Sequence, residues 1–256
     1  LALGACRALR KLEPTSQEAL DGLVQAVAAE DAGVRTAALS ALSASGIDRS
    51  RLVPLIAGGL GDADADVRDA ALAGLVKLGP AAGQALPALT AMLDSEDRSV
   101  RDSAAFALGT MGPAAFDAVP AMLAALAKET GTSSAIARAI GRVGPSAVPL
   151  LLEAGQADSV PTAYLAEAFG GIGREAIEPL TAALDSSSPG VRASAAAAFG
   201  AMDQRPPSVI EGLQRALADE HPRVRAAAAS SLGAAGRAAR AALPELQQAA
   251  GDSSAD

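Results

Sequence analysis

The chain has no tryptophan, one tyrosine, four phenylalanines, one cysteine and one histidine in 256 residues. Each scarcity excludes something. Aromatics make up 2% of a chain that is 50% hydrophobic, so a core must be built from alanine, leucine and valine. A single cysteine, Cys6, rules out an intramolecular disulfide framework and any cysteine-based zinc site. No Ser/His/Asp set can be drawn with any geometric basis around the one histidine, His221. No G-x-x-x-x-G-K-[ST] phosphate loop is present, and "GGIG" at 170–173 is a helix end. No apolar run approaches the ~18 residues a membrane helix needs, so membrane insertion is not expected. The formal charge is −8, which repels phosphate backbones and argues against nucleic acid as a partner. The first residue is not methionine, and "LALGACRALRKL" has its basic residues after its apolar part, unlike a signal peptide. A fragment of a longer protein, with further repeats before residue 1, is the expectation.

What the chain has in quantity is repetition. Val-Arg pairs stand at 34–35, 67–68, 100–101, 191–192 and 224–225, with a step of 33 residues wherever copies are adjacent. Between 101 and 191 lie two degenerate copies, "TSSAIARAIGRVGP" from Thr132 and "PTAYLAEAFGGIG" from Pro161, and an eighth copy opens the chain. The clearest copy is "SVRDSAAFALGTMGP", residues 99–113. Its Val100, Ala104, Ala107, Leu108 and Met111 share one helical face. Gly112 predicts a left-handed cap and Pro113 blocks continuation. Gly46, Gly79, Gly144, Gly173 and Gly236 hold the same column, with Asp203 there in one copy.

A second type of segment, such as "DAVPAMLAAL" from Asp117, alternates with the first. It carries proline near its start, at Pro54, Pro87, Pro120, Pro149, Pro179 and Pro244, where a first helical turn tolerates it. Each repeat is thus two antiparallel helices, a proline-bearing helix A and a Val-Arg helix B. The expected count is about sixteen, opening with an unpaired B (about residues 1–12) and closing with an unpaired A (about 238–250).

The stretch "GDADADV", residues 61–67, alternates acids as a calcium loop does. Such a loop starting at Asp62 needs glycine sixth and glutamate twelfth, where this chain has Val67 and Ala73. Three residues before each Val of the Val-Arg column stand Asp31, Asp64, Asp97, Ser188 and His221, with Asp158 in the same place before Pro161. These are helix N-cap positions, and Asp62 and Asp66 suit the positive end of the same helix. No bound metal and no cofactor are expected. The arginine column, flanked by these caps, predicts an acid–base ladder along the stack.

With "VRDSAAFALGTMG" and "AVPAML" recurring in fixed order, the chain resembles the HEAT-repeat family. The likeness is to its short bacterial-type repeats, related to bilin (phycobilisome) lyases. The resemblance covers the whole chain and implies a right-handed α-α superhelix, an armadillo-like helical solenoid over 1–256, with B helices lining the concave side. It implies no activity by itself. Two enzymatic branches lack their residues here. Deoxyhypusine hydroxylases bind iron through His-Glu pairs, and none occurs. HEAT-like DNA glycosylases use a basic, aromatic-rich face, and the net charge has the opposite sign. The expected function is a noncatalytic, monomeric scaffold that binds another protein; the alternative is a tetrapyrrole (bilin) lyase-like subunit or domain.

One region breaks the pattern. Helix B positions away from the packed face mostly carry small residues, such as Ala37, Ser40, Ala44, Ala193, Ala197 and Ala201. In the middle they become Lys77, Phe106, Arg138, Arg142, Tyr164 and Glu167. Exposed aromatics beside arginine mark interface hot spots, so these six residues are the expected concave patch for a partner.

Overall fold

The structure is a computed structural model that describes residues 2–12, 17–45, 48–130 and 134–249. It is all-α, 81% helical, with no strand among the described residues. The chain divides into two compact units, Leu1–Ala118 and Val119–Asp256.

The first unit holds α1 (Ala2–Leu12), α2 (Gln17–Ala26), α3 (Ala32–Leu42), α4 (Arg49–Gly58), α5 (Ala65–Leu78), α6 (Leu86–Met92) and α7 (Arg98–Met111). The B helices α1, α3, α5 and α7 pack in sequence order, each against the next. The A helices form the second layer, with α2 on α3, α4 on α5 and α6 on α7. Leu39, Leu42, Ile56, Leu75, Leu89, Leu108 and Met111 fill the space between the layers. Burying each large aliphatic side chain is worth ~1.5–3 kcal/mol. On α7 the expected face is the buried one at Ala104, Ala107, Leu108 and Met111, while Val100 is only half-buried.

The second unit holds α8 (Val119–Leu126), α9 (Ala135–Val143), α10 (Val148–Gln156), α11 (Thr162–Ile172), α12 (Ile177–Ala183), α13 (Pro189–Ala201), α14 (Pro207–Ala216), α15 (Pro222–Ala235) and α16 (Leu243–Ala249). Again the B helices α9, α11, α13 and α15 form a row, backed by the A layer. Here the B helices come close enough that a Cβ built on Gly141 would lie 2.8 Å from the Gly171 Cα. Phe169, Phe199, Ile140, Leu151 and Leu213 are fully buried.

Helices α6, α12 and α16 are only seven residues long. Without them the helices among the described residues number 13 rather than about sixteen. The reason lies before their prolines, where the chain winds first into 3-10 turns at Gly79–Ala85, Gly173–Ala176 and Gly236–Ala242. Pro87 and Pro244 then take second place in their α-helices, whereas Pro54 lies inside α4.

The glycine column ends the B helices, in a different conformation from the one expected. Gly79, Gly112 and Gly236 have φ of 51°, 59° and 55° with ψ of −129°, −134° and −122°. The left-handed helical region has ψ near about +47°. The observed region lies close to one that only glycine enters freely. Gly46 lies outside the described residues. Asp203 does not take a positive φ; α13 stops at Ala201 and Met202 is extended. Arg205 serves in place of the glycine, donating from Nε to the Phe199 carbonyl at 2.6 Å and from Nη2 to that of Gly200 at 2.8 Å.

The three acids at 62–66 have separate structural tasks. Asp64 caps α5 through the N–H groups of Asp66 and Val67. Asp62 Oδ1 accepts from the Asp64 N–H at 2.9 Å, and Asp66 lies exposed in the first turn. Asp31, Asp97, Ser188 and His221 cap their helices as expected. Asp158 does not. The cap of α11 is Pro161, without a side-chain bond, and Asp158 turns away at φ 49°.

One stretch departs from the expectation about apolar runs. Arg98–Leu126 is 29 residues long and reaches a mean hydropathy of 1.2, enough by length and composition to cross a membrane. The stretch is α7, the 3-10 turn Gly112–Ala118 and α8 in succession, and 44% of its apolar window is buried inside the protein.

Candidate partner-binding site

The six expected residues fall into two groups by unit. Lys77 and Phe106 belong to the first, on α5 and α7; Arg138, Arg142, Tyr164 and Glu167 belong to the second, on α9 and α11. Phe106 is 51% exposed, one of three large apolar side chains so exposed among the described residues, with Phe116 and Leu243. Its column runs through Ser40, Ala73, Arg138, Glu167, Ala197 and Ser230, all exposed or half-buried. This is the outward side of the B layer. Lys77 and Arg142 lie one turn further along and are exposed too.

Tyr164 has to be removed from the group. It is 2% exposed and counts among the largest fully buried side chains. It occupies the column of Ala37, Ala70, Ser103, Ala135, Ser194 and Ala227, in which no residue is fully exposed. That column is more enclosed than the outward one; in α13 its Ser194 lies against Gly155 of the A helix α10. Ala193, expected to be outward, is also buried, at 2%.

In the second unit Glu167 joins two helices. Its Oε1 accepts from Arg138 Nη1 at 2.9 Å and its Oε2 from the Ser134 N–H at 2.9 Å. Ser134 is the N-cap of α9. The cluster is therefore an ion pair whose acid also anchors the helix start, with Arg142 one turn on.

The arginine column has a different task from binding. In every intact copy its Nη1 reaches back to two carbonyls of the loop before its own helix. Arg35 takes those of Ala29 and Glu30, Arg68 those of Asp62 and Ala63, and Arg101 those of Ser95 and Glu96. Arg192 and Arg225 repeat the geometry with Ser186, Ser187, Asp219 and Glu220. Each arginine staples the A-to-B turn. The acid rungs are real but sparse, and they are not the caps. Asp62 meets Arg35 through two parallel bonds of 2.8 Å, and Asp219 meets Arg192 at 2.7 and 2.9 Å. Both acids stand two residues before the cap. The Arg35 guanidinium, then the Asp64 N–H, holds the Asp62 carboxyl below its usual range. Arg192 does the same for Asp219 against the opposing effect of burial.

One ion pair had no sequence signal. Arg223 donates to both Asp158 carboxylate oxygens at 3.2 and 3.1 Å and to Thr162 Oγ1 at 3.2 Å. It thereby ties the start of α15 to that of α11, past α13. Arg223 depresses the Asp158 carboxyl by direct hydrogen bonding. Among the described residues no three His, Cys, Asp or Glu side chains cluster as metal ligands do. Cys6 is buried, and burial pushes its thiol up.

Stacked antiparallel helix pairs with stapled turns and an outward B layer define an α-solenoid. Three matches to the model of the HEAT repeats, over residues 44–109, 86–170 and 177–256, show that the chain belongs to the HEAT-repeat family. No curated protein matches significantly. Among solved structures, Kap95p with RanGDP is similar at 18% identity and TM-score 0.55, covering 90% of this chain and 38% of that one. Yeast importin-beta (Kap95p) follows at 17% and 0.51, covering 97% and 40%. Kap121p bound to Nup53p follows at 14% and 0.52, covering 89% and 30%. The chain spans well under half the length of these karyopherins, and at such identities the likeness is one of fold.

Proposed function

We propose that the chain is a noncatalytic scaffold, acting as a monomer, that holds another protein on the outward face of its B helices. By the family resemblance that face is the concave one. In the first unit that face carries Lys77 and Phe106, and the binding site is placed there; in the second unit, taken by itself, it carries Arg138, Arg142 and Glu167. The observation that carries this reading is Phe106. A ring 51% exposed stands in a column otherwise filled by small or charged residues, and exposed aromatics of this kind are enriched at interface hot spots. The fold is in keeping with this, since the similar karyopherins occur with RanGDP and with Nup53p. No catalytic constellation, nucleic-acid surface or membrane contact enters the proposal, and no observed residue favours the tetrapyrrole alternative.

The test is quantitative affinity capture with the wild-type chain and with Phe106→Asp, run beside a melting curve for each. Proteins retained by the wild type and lost from the variant at unchanged melting temperature are the expected result. Identical capture profiles would remove Phe106 from the site. A Soret-region or visible absorbance shift on adding a bilin, insensitive to competing proteins, would replace the scaffold reading with the lyase one.

A further inference from the structure

A groove of about 600 Å³ runs along α3 in the first unit. Its floor is Gly33, Thr36, Ala37 and Ser40, at intervals of three and four residues along one side of the helix. Helices α1 and α5 pack on either side of α3 and form the walls. The α1 wall carries Arg7; the α5 wall carries Asp64 and Asp66. We propose that this groove receives an extended peptide segment of a partner protein, with a basic and an acidic side chain three positions apart. The proposal rests on the scaffold reading and gives it a second contact.

The argument begins with which charges are already committed. Arg35, Arg68 and Arg101 are tied to loop carbonyls, and Asp62 is tied to Arg35. Arg7 and the Asp66 carboxylate, by contrast, make no hydrogen bond or ion pair among the described residues. Charges of opposite sign therefore line the two walls of an open groove. A ligand that offers one charge of each sign answers both walls; a ligand with one sign answers only one.

The floor sets the shape. From Gly33 to Ser40 is seven helical steps, roughly 10 Å at ~1.5 Å each. An extended segment advancing ~3.3 Å per residue covers that span in three steps. Short floor side chains let a peptide backbone come close. Such a backbone carries unpaired N–H and C=O groups, and the floor has a matching need. Thr36 Oγ1 is shielded from solvent and has no hydrogen-bond partner. Thr36 is itself one of the residues that line the groove. Ser40 supplies a second hydroxyl one turn along.

Within the first unit this floor distinguishes α3 from the two B helices that follow it. At the places of Gly33 and Thr36, α5 has Asp66 and Asp69 and α7 has Ser99 and Asp102. A bulkier, charged floor gives neither the depth nor the contrast between walls.

The test is a titration of the isotope-labelled full chain with acetyl-Gly-Lys-Ala-Ala-Glu-Gly-amide, followed by amide chemical shifts. Saturable shifts confined to residues 4–8, 32–40 and 64–66 are expected. The same peptide with glutamine at both charged positions should leave them unmoved. Arg7→Ala and Asp66→Asn should each weaken binding by about two- to fivefold, the scale of one exposed charge pair. Both side chains are exposed, so melting temperature should hold. Ser40→Arg, which fills the groove, should abolish the shifts. Equal binding of the neutral peptide, or shifts elsewhere, would overturn the assignment. So would equal shifts from free lysine plus free glutamate, which would mark a small-molecule pocket. Capture that depends on Phe106 is a separate readout. If it survives while the peptide fails, the scaffold stands without this groove.

Discussion

At the scale of single residues, two aromatic rings in alanine-rich helices meet opposite fates. Phe106 and Tyr164 both sit at positions that the repeat leaves unpacked, so sequence placed both outward. They differ by three residues in repeat register, and that step separates the outward column from a more enclosed one. Alanine and serine fill the inner column in other copies, which hides its burial from a hydrophobicity pattern: a small side chain fits either environment. Tyr164→Ala should therefore cost ~3–5 kcal/mol as a buried aromatic deletion, and Phe106→Ala under ~1 kcal/mol as a surface change. Urea unfolding of the two variants decides it, and similar losses would contradict the assignment of columns. A second pair, three residues apart, isolates backbone conformation. A Cβ at Gly233 or Gly236 meets nothing within 4 Å, yet Gly236 has φ +55° and Gly233 is helical. Gly233→Ala should stabilise by ~0.5–1 kcal/mol, while Gly236→Ala should destabilise by ~1–3 kcal/mol. The same sign for both in thermal melts would mean that steric room, not φ, governs the helix end.

At the scale of elements, the B helices were legible nearly to the residue, because both ends are spelled out. Asp31, Asp64, Asp97 and His221 are caps in the sequence and caps in the structure. The glycine column was found by position, though its ψ of about −130° differs from the left-handed helical value. Helix A was read less well. Proline near a helix start does not reveal that the preceding residues wind as 3-10, which shortens α6, α12 and α16. Ion pairs between elements were largely illegible. The rung acids Asp62 and Asp219 look like ordinary loop residues, and Arg205 replaces a missing glycine by a contact no local pattern encodes. The Asp158–Arg223 pair joins residues 65 apart across an intervening B helix, whereas solenoid repeats normally touch only their neighbours. Both partners are substantially exposed, at 63% and 49%. A double-mutant cycle with Asp158→Asn and Arg223→Gln should return a coupling of only ~0.2–1 kcal/mol. Molar salt should erase it, since the screening length falls to ~3 Å. A larger, salt-resistant coupling would show that the pair sets the packing of α11 against α13 and α15, beyond simple surface attraction.

At the scale of the whole molecule, the dominant electrostatic fact is an excess of carboxylates, 29 against 21 basic residues, in a chain whose column arginines hold its own turns together. Stability should then depend on pH in a definite direction. Asp62, Asp158 and Asp219 all titrate below the usual carboxylate range in the folded chain, each chiefly through a hydrogen-bonded arginine. Unfolded, each returns to about 3.9. A group whose folded pKa is depressed contributes its stabilisation in full above the unfolded value, and loses it as pH falls through the folded value. The arginines remain charged throughout, because their shift is upward. Unfolding midpoints should thus be nearly level from pH 7 to about pH 5 and fall below about pH 4. Asp219 gives the sharpest form of the test, since its side chain is 13% exposed and Arg192 opposite it 10%. Asp219→Asn keeps the shape and removes the charge, so it mimics the protonated acid. The wild type should be more stable than the variant at pH 7, and the gap should close as pH drops well below 4. A gap of constant size from pH 7 to the acid limit would mean that the pair stabilises by packing and hydrogen-bond geometry alone, and that its charge has no part in holding the second unit together.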